Sequence, residues 1–185
     1  MFNNNNKSLK TWFHSPAHNI KSGGMYILTA ATYKHIKIIN TPERLDYIQE
    51  VFFDLSVKYN WILYAWSFLV NHYHIIFYTN EPTNNIKLFT QSLHSQTSVL
   101  WNKQDNTPNR KIWFNYWESL ISNNKSFFAR LRYVQDNPEL HKVVKNAEYY
   151  KWCSKKYFLE QATKSYQNKI NTFKVDMLYD YDIKI

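Results

Sequence analysis

Runs of apolar and β-branched residues predict strands, separated by stretches in which apolar residues recur at helical spacing. Strands are predicted at 25–32, 61–68 and 72–78, with an edge strand or irregular segment at 111–117. Helices are predicted at 42–59, at 84–102 and from about 122 to 137. Thr41 and Pro42 mark the start of the first helix, because threonine caps helices and proline favours the first helical position. Asn137-Pro138 predicts the end of the third helix, because proline disfavours α geometry in the residue before it.

The order of these elements predicts the fold class. The predicted order is strand, helix, strand, strand, helix, strand and helix, which is an α+β pattern. It predicts an antiparallel sheet with helices packed on one of its faces, in a ferredoxin-like or RRM-like arrangement. The length of 185 residues fits one domain. We expect a flexible N-terminal lead-in at 1–24, a folded domain at 25–160, and a C-terminal tail or docking helix at 161–185.

The charge of the chain indicates a polyanionic partner. Lys and Arg number 23 against 14 Asp and Glu, which gives a formal net charge of +9 and favours nucleic acid first and an acidic membrane second. The lone Cys153 excludes a disulfide framework and a cysteine-based zinc site, and two glycines exclude a glycine-rich phosphate loop. Neither a signal segment nor a run of ~18 apolar residues is present, so we expect a soluble, cytoplasmic protein with no membrane partner.

The sharpest chemical feature is Asn71-His72-Tyr73-His74. Residues two apart in a strand point to the same face, so His72 and His74 are neighbours about 7 Å apart at their α-carbons, while Tyr73 points into the core. Two imidazoles can bind one divalent cation, and a third oxygen ligand with open positions suits Mg²⁺ or Mn²⁺ acting on a phosphate. The alternative is two histidines on a solvent-facing strand.

The third predicted helix carries a second candidate group. Arg130, Tyr133 and Asn137 share one helical face, so a phenol and an amide oxygen converge and a guanidinium group lies one turn earlier. The alternative is an amphipathic helix whose exposed tyrosine has no chemical role. Beside a histidine pair, a tyrosine can act as a nucleophile that forms a covalent intermediate while a cation polarises the phosphoryl oxygen. The two features together predict an enzyme that nicks a DNA strand.

Both features resemble motifs of a known superfamily, the His-hydrophobe-His transposases of single-stranded DNA. Residues 69–76, Leu-Val-Asn-His-Tyr-His-Ile-Ile, are similar to its metal motif. Residues 132–138, Arg-Tyr-Val-Gln-Asp-Asn-Pro, resemble the catalytic helix of its REP-associated tyrosine transposases. The flanks at 113–118 and 149–154 agree in order and spacing, so the resemblance covers about 25–154.

The resemblance implies a role for each candidate residue. Tyr133 would attack a DNA phosphate, leaving a 5′-phosphotyrosine and a free 3′-hydroxyl, and His72, His74 and Asn137 would bind Mg²⁺ or Mn²⁺. The implied activity is the metal-dependent nicking and rejoining of single-stranded DNA that carries a hairpin, as in DNA transposition. The sequence departs from the family in having Tyr73 where a smaller aliphatic residue is usual, and in lacking the family's glycine within 139–142.

Basic residues around the tyrosine are the predicted DNA contacts: Arg110, Lys111, Lys125, Arg130 and Arg132. Aromatic rings near them can stack on unpaired bases, and the polar loop at 102–110 is the expected contact region. Trp117 and Phe127 are expected to lie in the core. Three further histidines are interpreted as incidental: His35, His94 and His141.

Other functions stay open at this point. A replication initiator or relaxase would use the same chemistry. A non-catalytic RRM-like module would bind nucleic acid through its sheet without a metal. A domesticated transposase relative would bind hairpins for another purpose. The sequence leaves the oligomeric state open between monomer and dimer.

Overall fold

The computed structural model describes residues 23–175, with the backbone alone for 82–84. In this range the strands are β1 (Gly24–Thr32), β2 (Ile62–Phe68), β3 (His72–Thr79) and β4 (Trp113–Leu120). The helices are α1 (Pro42–Lys58), α2 (Pro82–Gln104), α3 (Asn124–Leu140), α4 (Lys155–Gln161) and α5 (Lys164–Asn171), with 3₁₀ turns at Tyr33–His35 and Ala147–Tyr149. Nearly all of the lead-in expected at 1–24, and residues 176–185 of the expected C-terminal segment, lie outside the described residues.

The strands form one antiparallel sheet in the order β2-β3-β1-β4. With the helices between them, this is the predicted α+β, ferredoxin-like arrangement, and that prediction is confirmed. β4 is an edge strand, as expected, and extends beyond the predicted 111–117 to Leu120. The outer edge of β2 is met by residues 152–154: the Phe68 N–H donates to the Trp152 carbonyl (3.0 Å) and the Ser154 N–H to the Trp66 carbonyl (2.9 Å).

Helices α1 and α2 cover one face of the sheet. Thr41 caps α1 as predicted, since its hydroxyl accepts a hydrogen bond from the Arg44 N–H at 3.3 Å. Trp61 is sandwiched between Phe77 of β3 and Phe89 of α2, with ring centroids 3.5 Å and 3.9 Å apart. Each of these buried rings removes a large apolar area from water, which holds this helical layer on the sheet.

The opposite face of the sheet is covered as well, by α3 with α4 and α5, whereas the sequence predicts helices on one face only. Phe127 of α3 is buried and packs edge-on against Tyr64 of β2, with ring centroids 5.5 Å apart. β3 is buried along its whole length because helices lie on both sides of it. Among residues 23–175 there is no helix with the length and apolar character that crossing a membrane requires.

Helix α3 continues through Pro138 to Leu140, so the prediction that it ends at Asn137 is wrong. Proline lacks an N–H, which removes one hydrogen bond to the carbonyl four residues earlier. Here that carbonyl belongs to Val134, and the buried thiol of Cys153 lies 3.8 Å from it and 3.4 Å from the Gln135 carbonyl. The thiol thus replaces part of what the proline removes, and the helix gains a last turn.

The tyrosine between the two histidines points into the core, as predicted, and takes part in a buried polar network. The Tyr73 hydroxyl and His94 Nε2 lie 2.9 Å apart, and the His94 ring stacks on Trp113 with centroids 4.3 Å apart. The Trp113 indole N–H donates to the Thr97 hydroxyl at 2.9 Å. His94 is therefore not incidental: it satisfies a phenol that would otherwise be buried unpaired, which accounts for a tyrosine at this position of the motif.

We predict that His94 makes the protein sensitive to acid. Burial lowers the pKa of His94 from 6.5 to about 3. The unfolded chain takes up a proton at this residue below pH ~6.5 while the folded chain does not, so acidification favours unfolding by up to ~1.4 kcal/mol per pH unit. Urea denaturation between pH 7 and 4 should show the stability advantage of wild type over His94→Gln shrinking as the pH falls. Parallel stability profiles for the two proteins would contradict this account.

Candidate active site

His72 and His74 lie on the sheet face that α3 covers, as their spacing predicts. Their ring centroids are 5.2 Å apart. His72 Nδ1 is 2.8 Å from Asn71 Oδ1, and His74 Nδ1 is 2.8 Å from the Thr29 hydroxyl. The Asn71 amide nitrogen donates to the His35 carbonyl at 3.2 Å, so its oxygen faces His72 and His72 Nδ1 carries the proton. His72 Nε2 then has a free lone pair, the form in which imidazole binds a metal.

Helix α3 brings the tyrosine and the asparagine to the same place. The Tyr133 ring meets the His74 ring edge-on, with centroids 5.2 Å apart. Asn137, one turn later, is fully buried and lies near enough to His72 for its amide to influence that imidazole. Groups that are about sixty positions apart in the sequence therefore line one pocket.

Several polar atoms in this pocket are buried without a partner. His72 Nε2, Tyr133 Oη and both amide atoms of Asn137 make no well-formed hydrogen bond to any residue in 23–175. Buried polar groups are nearly always paired in proteins, and an unpaired one costs roughly 1–3 kcal/mol. Their convergence indicates a pocket built for a polar ligand.

The donor set fits a divalent cation in part. A neutral imidazole nitrogen and an amide oxygen are accepted metal ligands, and both are orphaned here. No group of three or more His, Cys, Asp and Glu side chains within residues 23–175 is arranged to hold a metal ion. A cation in this pocket would need the Asn137 oxygen, and water or substrate oxygens, in addition to the two imidazoles.

The electrostatics of the pocket keep His72 and His141 neutral at neutral pH. Burial, with the neighbouring His74 and His141, lowers the pKa of His72 well below 6.5, and the nearby amide of Asn137 offsets only part of this effect. At neutral pH His72 is therefore available as a ligand without losing a proton first.

His141 joins the pocket, so the interpretation of this histidine as incidental is wrong. Its ring centroid lies 4.6 Å from that of His72, and burial followed by repulsion from His74 lowers the pKa of His141 to about 4. The signal that could have found it is its spacing, because His141 follows Asn137 by four residues and Tyr133 by eight on the helix that reaches the pocket.

The Tyr133 hydroxyl is closed to solvent, since the residue is only 2% exposed. The Tyr133 ring lies on the side of α3 that faces the sheet, against His74 of β3, and not on an exposed helical face. A phosphate can reach this oxygen only after a movement of the side chain or of the elements around it.

The predicted DNA contacts are placed unevenly. The Arg132 guanidinium group already has partners within the protein. Its Nε lies 3.1 Å from Asp136, and its terminal nitrogen donates to the carbonyls of Asn171 (2.8 Å) and Phe173 (2.6 Å). Arg110 pairs with Asp105 at 2.6 Å, and Arg44 of α1 binds the same carboxylate. The positive charge of Arg110 is therefore partly neutralised within the protein.

The remaining predicted contacts lie nearer to solvent. Arg130 donates to the Ser126 hydroxyl and is half-buried, while Lys111 and Lys125 are exposed. Trp117, expected in the core, is only half-buried at the sheet edge, whereas Phe127 is fully buried as expected. DNA binding by these five basic residues stays a prediction.

One solved structure shares this fold over most of the chain. A solved REP-associated tyrosine transposase, bound to a REP hairpin, superimposes with a TM-score of 0.62 over 76% of this chain and 81% of that chain, at 18% sequence identity. A candidate transposase from Deinococcus radiodurans matches with a TM-score of 0.44 over 55% of this chain and 81% of that chain, at 17% identity. No family model and no curated protein matches the sequence. The chain therefore has the fold of the REP-associated tyrosine transposase, which confirms at the level of the fold the resemblance drawn from its motifs.

We predict that Tyr133→Phe raises the free energy of unfolding by about 1 kcal/mol, because it removes a buried hydroxyl that has no partner in the described chain. Tyr150→Phe is the matched control, since the Tyr150 hydroxyl donates to the Phe68 carbonyl at 3.0 Å. That variant should lose about 1 kcal/mol in the same urea titration. Equal destabilisation by both substitutions would show that the Tyr133 hydroxyl is satisfied after all.

Proposed function

We propose that the protein is a metal-dependent DNA transposase that nicks and rejoins single-stranded DNA with a hairpin, through a 5′-phosphotyrosine. The observation that carries the proposal is the convergence of Tyr133, Asn137, His72 and His74 in one pocket with unpaired polar atoms. The shared fold and the net charge of +9 support a DNA substrate. A cytoplasmic location and the domain boundaries at 24 and 160 belong to the same proposal.

The chemistry assigned to Tyr133 is nucleophilic. Its phenolic oxygen attacks the phosphorus, a bond forms between Oη and phosphorus, and the bond to the 3′-oxygen breaks, leaving a free 3′-hydroxyl. The phosphotyrosine keeps the energy of the broken bond, so attack by another 3′-hydroxyl rejoins a strand and releases the tyrosine.

His72, His74 and Asn137 would hold Mg²⁺ or Mn²⁺, which neutralises charge on the phosphoryl oxygens and helps to orient the scissile bond. The hydrogen bonds of Asn71 and Thr29 to the two imidazoles fix the directions of the rings before any ligand arrives.

The nucleophile is tested with a labelled hairpin oligonucleotide and Mn²⁺. Wild type should form a covalent protein–DNA adduct that survives denaturant and gel electrophoresis. Tyr133→Phe should abolish it, and Tyr149→Phe, which alters an 80% exposed tyrosine, should not. An adduct that persists in Tyr133→Phe would show that another residue attacks the DNA.

The metal site is tested by stability rather than by turnover. At 100 times its dissociation constant, Mn²⁺ should raise the free energy of unfolding of wild type by about 2.7 kcal/mol, and EDTA should reverse the effect. His72→Ala and His74→Ala should each lose most of this increment, measured within each variant with and without metal. An increment unchanged in both variants would place the cation elsewhere.

A non-catalytic nucleic-acid-binding module is the second candidate, favoured by the closed Tyr133 hydroxyl. It predicts binding to single strands that needs no metal and survives His72→Ala, with no adduct in wild type. The adduct experiment therefore separates the two functions.

A further inference from the structure

The sheet face that carries the histidine pair is covered by α3 over β2 and β3, and is less completely covered towards the edge strand. In the ladder of β1 and β4, Thr29 lies opposite Trp117, and in the ladder of β1 and β3 it lies opposite His74. Cross-strand partners point to the same face, so Trp117 is on the face of the active site, two strands away. With strands ~4.8 Å apart, that distance is about 10 Å.

A row of rings continues from Trp117 along this edge. Phe114 is 5.9 Å from Trp117, and Tyr33 is 6.3 Å from Phe114, measured between ring centroids. Phe114 is 40% exposed, and the other two rings are half-buried. We call Tyr33, Phe114 and Trp117 the aromatic row.

Two lysines accompany the aromatic row. Lys111 Nζ lies 4.7 Å from the centroid of the Tyr33 ring and 5.4 Å from that of Phe114. Lys34 Nζ lies 5.5 Å from the Tyr33 ring. Both lysines are exposed and face rings, not carboxylates, in these contacts.

The aromatic row also connects to the pocket along the chain. Tyr33 begins the 3₁₀ turn that ends at His35, and the Asn71 amide bonds the His35 carbonyl with one end and the His72 ring with the other. The side chain of Asn71 thus links the turn that contains Tyr33 to the His72 ring in the pocket.

We propose that the single strand entering the active site runs across β1 and β4, with its unpaired bases stacked on the aromatic row and its phosphates near Lys34 and Lys111. This inference rests on the proposed function for the identity of the ligand. A line of one exposed and two half-buried rings beside two lysines suits an unpaired nucleic acid strand, because its bases have apolar faces and its backbone is negatively charged. The loop at 102–110, whose one arginine, Arg110, is paired with Asp105, is then not the main contact region.

The experiment measures binding without cleavage, using full-length protein in a Tyr133→Phe background, EDTA, and a short fluorescein-labelled oligothymidylate followed by anisotropy. Phe114→Leu keeps an apolar side chain but removes the ring. It should weaken binding between about 5-fold and about 140-fold, which corresponds to the ~1–3 kcal/mol of one stacked base. Phe114→Tyr, which keeps the ring, should bind like the parent, and so should the matched control Tyr149→Leu.

Salt dependence separates stacking from charge. Phe114→Leu should leave the slope of log affinity against log salt unchanged, whereas Lys111→Gln should reduce its magnitude by about 0.7, the value for one phosphate contact on a single strand. Trp117→Leu should behave like Phe114→Leu. A duplex of the same length should be nearly insensitive to both ring substitutions, because its bases are already stacked.

The outcomes are distinguishable from those of the proposed function. If Phe114→Leu and Trp117→Leu bind the oligothymidylate as the parent does, the aromatic row is not the strand path, whether or not wild type forms an adduct on Tyr133. If the ring variants lose affinity as expected and wild type forms no adduct, the strand path stands and the catalytic proposal fails.

Discussion

The position of helix α3 against β2 and β3 is the constraint on which the site depends. The histidines are fixed by the register of the sheet, but Tyr133 and Asn137 reach them only if α3 lies in one place. The return segment at 150–154 sets that place from one side, because it bonds the edge of β2 and carries the Cys153 thiol that faces the last turns of α3. Asp136 adds a second link, since its carboxylate pairs with Arg132 of its own helix at 3.1 Å and with Lys155 of α4 at 2.6 Å.

The pocket formed in this way lowers the free energy of unfolding of the protein. It holds buried polar atoms that have no partners in the described protein, an arrangement that natural cores avoid. Proteins retain such sites where activity requires them, at the expense of stability. The same burial keeps His72 neutral and shields the Tyr133 hydroxyl from solvent, which are the conditions that the proposed metal ligand and nucleophile require.

Much of the fold could be read from the sequence because its signals are local. The Thr41 cap, the alternation around Tyr73 and the turn at residues 70–71 each depend on neighbours in the chain, and the structure agrees with all three. The pairing of the histidines on one face followed from strand periodicity alone. The last turn of α3 could not be predicted from local signals, because the thiol near the Val134 carbonyl comes from a segment almost twenty residues away.

The parts of the site that escaped prediction are set by long-range packing. Sequence spacing cannot show that the Tyr133 face of α3 packs against β3, or that Arg132 binds carbonyls near the end of the described chain. Trp117 illustrates the same limit, since only the register of β1 against β4 shows which face its ring occupies.

The central claim is that a phosphate is transferred to one tyrosine, held beside a histidine pair. Mass spectrometry of the protease-digested adduct tests it most directly, because the chain has 15 tyrosines and the modified one can be located. The account predicts a nucleotide joined through a 5′-phosphate to Tyr133 and to no other residue. A nucleotide found on a different tyrosine, or on a residue of another type, would contradict it.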